Sequence, residues 1–595
     1  MQHRLRANWR PLLIIGVFLS LAVSYSVINP LGEAPDEVSH FTHVAFIVKN
    51  GRLAIGKEAP ESHQPPLYYL LGAILTSRLE PEKFQVKANS DFSFQDDEGG
   101  VNLLMHTKTE AFPYRNGALA WRVLRLFSVI LGAGTVSLIY ATGKMFFRRE
   151  SLALGAMAFW AFNPAFLFTS SAVSNDNLVA FLSTLTFYLL LRVWQIPGFS
   201  IARLVLLGVS LGLAVLAKVS ALALAPPVLC SLLWVSFYKA RNTLHGLGRF
   251  VSASILVFGA SIAVAGWWFA RNQVLYGDPL GWRLILQVCD LRQGLLSLND
   301  YVWLLRGLFQ TYWGRFGGAA HLALPGPLYL ALGLVTLAAL AGLLSAAYRW
   351  AREKSAPYWG PALALMAIFL AAISFSLVKW TATVLGTDQA RLLYPAASPM
   401  VLLFYAGLAA VFRGRQNWLG LFTGIGMASL AGYGVLYVGS VYLPPKPIAP
   451  QQLPANALGR PVAFGQMFQL RAYELPAQPI SAGQYAFLTT YWQVLQDPVT
   501  DYWVTMDFVD QSGRKAFSKL SSLGGGRETT DYWKAGELRR ARYRLTIPPG
   551  VSPGVYTVKA QVHVFDRSVA LSVKQGGDAV ANVLELGKIT VVLKN

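Results

Sequence analysis

Residues 152–195 read LALGAMAFWAFNPAFLFTSSAVSNDNLVAFLSTLTFYLLLRVWQ, two apolar runs (152–172 and 177–195) parted by the polar turn Ser174–Asn177. Each run is about 20 residues, the length a helix needs to cross a hydrocarbon core about 30 Å thick. So short a turn sends the second run back the way the first came, which predicts a hairpin of membrane helices. Apolar blocks of the same kind recur at 11–28, 119–143, 203–221, 222–238, 250–269, 326–347, 360–378, 395–412 and 417–441. The chain therefore reads as a polytopic α-helical membrane protein with about eleven transmembrane helices. Composition agrees: of 595 residues 54% are hydrophobic and only 14% charged, against about 25% charged in soluble domains. Much of the net charge of +21 lies in short connections between apolar blocks, where it sets orientation; this excludes nucleic acid as a partner. Two cysteines, Cys230 and Cys289, give neither a disulfide framework nor a metal-ligand spacing.

The basic residues fall in alternate connections. Arg4, Arg6 and Arg10 precede the first block, and Arg148 and Arg149 follow the second. Lys239, Arg241 and Arg249, then Arg349, Arg352 and Lys354, then Arg413 and Arg415 continue the pattern. These connections and the N-terminus are expected on the cytoplasmic side of an inner, cytoplasmic membrane. The opposite loops hold Glu33, Asp36, Glu37, Asp176, Asp278 and Asp388, and are expected outside with everything after residue 441. Ala22-Val23-Ser24 loosely fits a leader cleavage site, but the apolar run continues to Ile28 before Asn29-Pro30 ends it, which favours a retained helix.

Three segments depart from a plain bundle. The first external loop, about 29–117, contains a helix-like stretch from Asp36 to Lys49 and QPPLYYLLGAIL from Gln64, too short to span and suited to the interface. A second large external loop, about 271–321, is rich in Trp, Tyr, Gly and Arg. After the transmembrane domain, 1–444, residues 445–595 change to short alternating runs such as DYWVTMDFV, RYRLTI and VYTVKAQVHVF. Asp510–Gly513, Pro548-Pro549-Gly550, Pro553-Gly554 and Gly576-Gly577-Asp578 supply turns between them, so an external all-β sandwich is expected.

Chemistry is most densely signalled by APDEVSHF, which places Asp36, Glu37 and His40 just beyond the first helix. In a helix Asp36 and His40 share a face, and adjacent carboxylates suit deprotonation of an acceptor hydroxyl or amine. Asp36 after Pro35 reads equally as a helix N-cap. The turn SNDN carries Asn175 and Asp176, an ordinary polar turn by itself, yet on the same side as Asp36. Arg391, three residues after Asp388, and Arg271 can each meet a lipid phosphate or merely snorkel to headgroups. Lys218 lies within LGLAVLAKVSALAL and needs an internal partner or an interfacial position. His63 precedes Gln64 and the Pro-Pro pair, and alone reads as a residue of a wet loop. No HExxH, GxGxxG, Walker A, CxxC or GxSxG in suitable context is present, which disfavours zinc proteases, nucleotide-driven pumps and serine hydrolases.

The ordered series APDEVSHF, HQPPLYY, RVLRLFSVILGAGTVSLIY, NPAFLFTSSAVSNDN, GVSLGLAVLAKVSAL and QARLLYPA, spread over roughly 10–412, resembles the bacterial relatives of protein O-mannosyltransferases and the lipid A aminoarabinose transferase. These are integral-membrane glycosyltransferases of the GT-C class, related to glycosyltransferase family 39. The resemblance implies a polyprenyl-phosphate-linked sugar as donor, an external glycan, lipid or protein as acceptor, and inversion at the anomeric carbon. It implies Asp36 as general base with Glu37 beside it, and Asp176 as a second carboxylate in the same cavity. Arg391 with the nearby Tyr394, Lys218 and Arg271 become candidates for the lipid phosphate, and His63 with Gln64 for the segment over the donor. His40, Asn175 and Asp388 are further cavity candidates.

The leaving phosphate is already a competent anion, so cations can serve it; no cofactor is implied, and a divalent metal is possible but not required. Many relatives carry Lys where this chain has Gln64, so donor identity does not transfer. Trp492, Trp503 and Trp533 of the β region read as either an acceptor platform or core. Two other functions fit the composition: a lipid or polysaccharide transporter, and a non-catalytic cell-envelope scaffold. Transporters tend to place charges at the bilayer midplane between repeated halves, whereas here the acids gather at loop ends and no repeat is visible.

Overall fold

The computed structural model describes residues 9–94, 100–147, 149–195, 200–238, 240, 242–353, 359–455, 458–575 and 578–593. Arg4, Arg6, Arg148, Lys239, Arg241, Lys354, Gly576 and Gly577, used above, lie outside the described residues.

Nine helices among the described residues are long and apolar enough to cross a membrane: Trp9–Ile28, Asn116–Phe146, Asn175–Trp194, Val219–Tyr238, Thr243–Tyr276, Gly326–Arg349, Gly360–Thr381, Ala390–Val411 and Gln416–Val441. The chain is a multi-pass membrane protein. The expected block at 152–172 is a bent pair, Glu150–Ala161 and Pro164–Ser170, meeting at 62° and making a tenth span if counted as one. Asn163 and Pro164 cause the bend: proline cannot extend the first helix, and Asn163 caps the second by accepting from the Phe166 N–H. The block at 203–221 ends early, because the helix Ile201–Ala217 stops at Lys218, whose backbone is extended (φ −159°, ψ 134°). Two of the eleven apolar blocks are thus interrupted, one at Asn163-Pro164 and one at Lys218.

Two compact units divide the chain. The first comprises residues 1–29, 34–84 and 119–438 and contains the helices. Small residues allow close packing there: a Cβ on Gly407 would fall 1.9 Å from the Ala339 carbonyl oxygen, and one on Gly208 2.2 Å from that of Val257. Its loops add the helices Glu37–Asn50, Leu67–Thr76, Trp282–Val288 and Leu298–Trp313, and a hairpin of β1 (Arg315–Phe316) and β2 (Leu322–Ala323). The helix Leu67–Thr76 has only 10 residues, too few to span.

The second unit comprises residues 30–33, 85–118 and 439–595. Its strands are β3 (Val462–Phe464), β4 (Phe468–Glu474), β5 (Ile480–Ser481), β6 (Tyr485–Val494), β7 (Tyr502–Val509), β8 (Lys515–Ser522), β9 (Leu538–Thr546), β10 (Gly554–Val564), β11 (Val573–Gln575), β12 (Asp578–Ala581) and β13 (Leu584–Val592). They form a five-stranded sheet, β5-β13-β10-β7-β8, and a six-stranded sheet, β12-β11-β3-β4-β6-β9. Alternate residues of both sheets, among them Phe468, Trp492, Phe508, Tyr543 and Val558, share one buried core. Trp492, Trp503 and Trp533 are all buried, which leaves none of them as an open platform for an acceptor.

Candidate functional site

Asp36 takes the cap position of the helix Glu37–Asn50, but its side chain makes no capping bond. It sits in the left-handed region (φ 60°, ψ 5°), a conformation that Asp tolerates better than most residues and that recurs where backbone is held for function. Its carboxylate bonds instead to Nη2 of Arg391, and 54% of the side chain remains exposed. Of the two sequence readings, the side-chain cap is absent, and the carboxylate's partner is Arg391.

Arg391 comes from the 3-10 turn Ala390–Ala396, which leads into the helix Ala397–Val411. Its Nη1 donates to Oδ2 of Asp176 at 2.6 Å, and Nε to Oε1 of Gln389 at 2.8 Å. Asp176 lies at the start of the helix Asn175–Gln195 and also accepts from Nζ of Lys218 at 2.5 Å. Asn175 Nδ2 donates to the Ala217 carbonyl at 3.3 Å, tying the SNDN turn to the helix break at Lys218. Two carboxylates and two cations from four distant stretches thereby form one chain of ion pairs, Asp36–Arg391–Asp176–Lys218. A buried charge is costly without partners; in this cluster the charges sum to zero.

Burial alone would raise the Asp36 carboxyl, but Arg391, His40 and Lys218 hold it below the ordinary carboxylate range. His40 Nδ1 lies 2.9 Å from the Tyr69 hydroxyl, and burial pushes its imidazole down toward the neutral form. Glu61, which the sequence reading missed, is partly buried beside this group, and that burial raises its carboxyl. His63 lies 3.8 Å from Glu61 through Nε2, and the same nitrogen is 3.1 Å from Gln64 Nε2. If that amide donates, the neutral ring carries its proton on Nδ1; Nδ1 is buried and has no hydrogen-bond partner among the described residues. Burial and then Lys218 push the His63 imidazolium down to about 4, so near neutrality His63 offers a hydrogen bond and no charge.

A cavity of about 480 Å³ opens beside the cluster. Its polar end is His63, Gln64, Asp176 and Lys218, while Leu222, Ala223, Ile285, Ile373, Leu377 and Leu392 line much of the rest. Trp282, Lys379 and Trp380 also face it, with the Lys379 ammonium 5.9 Å from the Trp282 ring centre. Such a space suits a molecule with a polar head and an apolar tail.

Other candidates are placed elsewhere. Glu37 is fully buried and binds Arg125 through both oxygens at 2.7 Å; its Oε1 also accepts from the Val173 N–H at 2.9 Å. Arg125 in turn donates to the Ser26 and Asn29 carbonyls, so the expectation that Glu37 flanks the base inside the cavity is corrected: its oxygens are consumed in joining three segments. Arg271 donates to the Ala54 carbonyl at 2.8 Å and stacks near Trp268. Tyr394 packs edge-on against Trp160 and Phe166. Asp388 packs against Gly307, and its half-buried carboxyl is raised by that burial. A charged residue inside the apolar run RVLRLF was the available signal for Arg125. Glu61, two residues before His63, gave none beyond its charge. Among the described residues no group of three His, Cys, Asp or Glu side chains is placed to hold a metal ion.

Residues 101–287 match the family model of dolichyl-phosphate-mannose-protein mannosyltransferases. The match lies within the stretch that carries the sequence resemblance and confirms it as one to GT-C membrane glycosyltransferases. No curated protein matches the chain. Among solved structures, ArnT from Cupriavidus metallidurans bound to undecaprenyl phosphate is 15% identical with a TM-score of 0.43, over 75% of this chain and 66% of that one. The S. cerevisiae Pmt1-Pmt2 complex bound to the sugar donor gives 18% and 0.32, over 51% and 36%. The arabinofuranosyltransferase AftD from Mycobacteria gives 13% and 0.40, over 74% and 28%.

Proposed function

We propose that the helical unit is a glycosyltransferase that moves a sugar from a polyprenyl phosphate to an acceptor on the external face of the membrane, with inversion and with Asp36 as general base. The observation that carries this reading is the ion-pair chain Asp36–Arg391–Asp176–Lys218 at the polar end of an amphipathic cavity. The acceptor hydroxyl or amine attacks the anomeric carbon, the bond from that carbon to the phosphate oxygen breaks, and the acceptor proton passes to Asp36. The polyprenyl phosphate leaves with one more negative charge than it had in the donor. Arg391 and Lys218 are the cations placed to receive that charge. Both are held by carboxylates, so an arriving phosphate competes with Asp36 for Arg391. Losing that partner makes Asp36 a stronger base at the moment the donor is bound. Neutral His63, with its unpartnered Nδ1, is suited to a sugar hydroxyl rather than to the phosphate. The sugar and the acceptor class stay open in this reading.

Native mass spectrometry of the detergent-purified protein tests it. Wild-type protein should retain a polyprenyl phosphate, with or without its sugar, and Arg391→Ala should lose it. Arg391→Lys keeps the charge without the two-pronged geometry and should retain an intermediate amount. Equal retention in all three would remove Arg391 from the phosphate site and with it the proposed donor geometry.

A further inference from the structure

Strand β9 reads LRRARYRLT, and its alternation sorts the residues by face: Ala541, Tyr543 and Leu545 enter the core, while Arg540, Arg542 and Arg544 face outward. Because β9 ends the six-stranded sheet, this row of guanidinium groups lies on its edge strand. Opposite it on β6 stand Tyr491, Thr489 and Phe487, in register with Arg540, Arg542 and Arg544. The Arg542 guanidinium lies 3.8 Å from the Phe487 ring centre, which holds it flat. Arg539, the inward exception, is buried and paired with Glu528 and Glu537.

A groove of about 430 Å³ runs along this edge, lined by Arg540, Arg542, Arg527 and Lys446, the backbone of Gly524 and Gly526, and residues 443–445 and 448. The lining holds four cations and no carboxylate. Among the described residues, Lys446, Arg527 and Arg540 are in no ion pair. Like charges facing one groove repel, and an anion relieves them. The groove's first wall begins at Leu443, two residues past Val441, the last residue of the final membrane helix. Leu443 is 64% exposed, so an apolar side chain two residues past the end of the last membrane helix lines the same groove as four cations.

We propose that this groove binds the phosphate headgroup of an anionic phospholipid from the leaflet where the last helix ends. Arg527 and Arg540 hold the phosphate oxygens, Lys446 adds charge, and Leu443 lies along the start of an acyl chain. A lipid is preferred over an acidic glycan because the apolar rim is continuous with the membrane helix. The site stands apart from the transferase reading and involves none of its residues.

Full-length protein, reconstituted with and without phosphatidylglycerol beside phosphatidylcholine, is examined by native mass spectrometry and thermal unfolding. Wild type should retain phosphatidylglycerol selectively and unfold at a higher temperature in its presence. The double variant Arg527→Gln/Arg540→Gln should weaken retention by about thirtyfold, taking about 1 kcal/mol for each basic residue at a membrane surface, and should lose the thermal shift. Arg527→Lys/Arg540→Lys should recover most of both. Lipid mass separates this site from the donor site: Arg391→Ala should leave phosphatidylglycerol retention unchanged. Equal retention in wild type and the Gln variant overturns the proposal. So does saturable binding of inorganic phosphate or of a soluble acidic oligosaccharide that phosphatidylglycerol fails to displace.

Discussion

Two adjacent residues, Asp36 and Glu37, carry the same charge and have opposite fates. Asp36 is half-exposed and shares Arg391 with Asp176; Glu37 is sealed against Arg125. Asp36→Asn keeps a residue that accepts the left-handed backbone and removes the proposed base, so transfer should fall by about a hundredfold to ten-thousandfold with little change in unfolding temperature. Normal activity of a folded Asp36→Asn protein, measured as sugar transferred from a polyprenyl-phosphate donor, would remove Asp36 as the base. Glu37→Gln should do the reverse. Leaving Arg125 without its carboxylate costs about 3–5 kcal/mol when a buried pair is broken, so unfolding shifts downward while turnover per folded molecule stays within a fewfold of wild type. The sequence marked both residues as candidates but could not separate them, because the partner that decides each lies 88 or 355 positions away.

Breaks in regular structure do most of the positioning. The stop at Lys218 and the 3-10 turn around Arg391 bring side chains to the cluster that an unbroken helix would point elsewhere. The apolar run across Lys218 concealed the first break, since hydropathy registers length and not a turn of backbone. In the β-containing unit the loop residue His106 plays a comparable joining role. Its Nδ1 lies 2.9 Å from Glu110, and its Nε2 3.2 Å from Glu33. Burial alone would lower this imidazolium, but Glu110 and Glu33 on either side push it up to about 10. A folded-state value above the unfolded one, about 6.5, stabilises fully below the latter and is lost as pH rises through the former. Stability of this unit should therefore fall progressively as pH rises from about 6.5 to about 10 and level off above that. His106→Gln should be less stable at pH 7 and lack that fall, as read by tryptophan fluorescence on thermal unfolding; an identical pH profile in both proteins would sink the assignment. No periodicity or motif announced that residues 85–118 cluster with the β strands; loops yield such contacts only once the sheets exist.

At the scale of the whole chain, the plan of a helical membrane body followed by an all-β segment was readable because hydropathy and alternation are repeated signals, summed over many residues. The cavity was not, because it is a property of no single segment. Its wall takes Gln64 from the first loop, Asp176, Lys218 and Ala223 from the middle helices, Ile285 from the second large loop and Ile373 from a late helix. That assembly gives the donor reading its strongest consequence: the polar end should read the headgroup, and the apolar end should read the length of the lipid. Ala223→Trp places a large ring among the apolar lining and leaves Asp36, Asp176, Lys218 and Arg391 unsubstituted. With a long-chain polyprenyl-phosphate sugar the variant should raise KM about tenfold or more, the scale of an overpacked apolar pocket at 1–3 kcal/mol, with kcat nearly unchanged. With a donor shortened to one or two isoprene units, which does not reach that wall, wild type and variant should show the same KM. A loss equal for both chain lengths would mean that the ring distorts the cluster itself. No loss for either would mean that the prenyl chain leaves the headgroup site by another path, and the cavity would have to be reassigned to the acceptor.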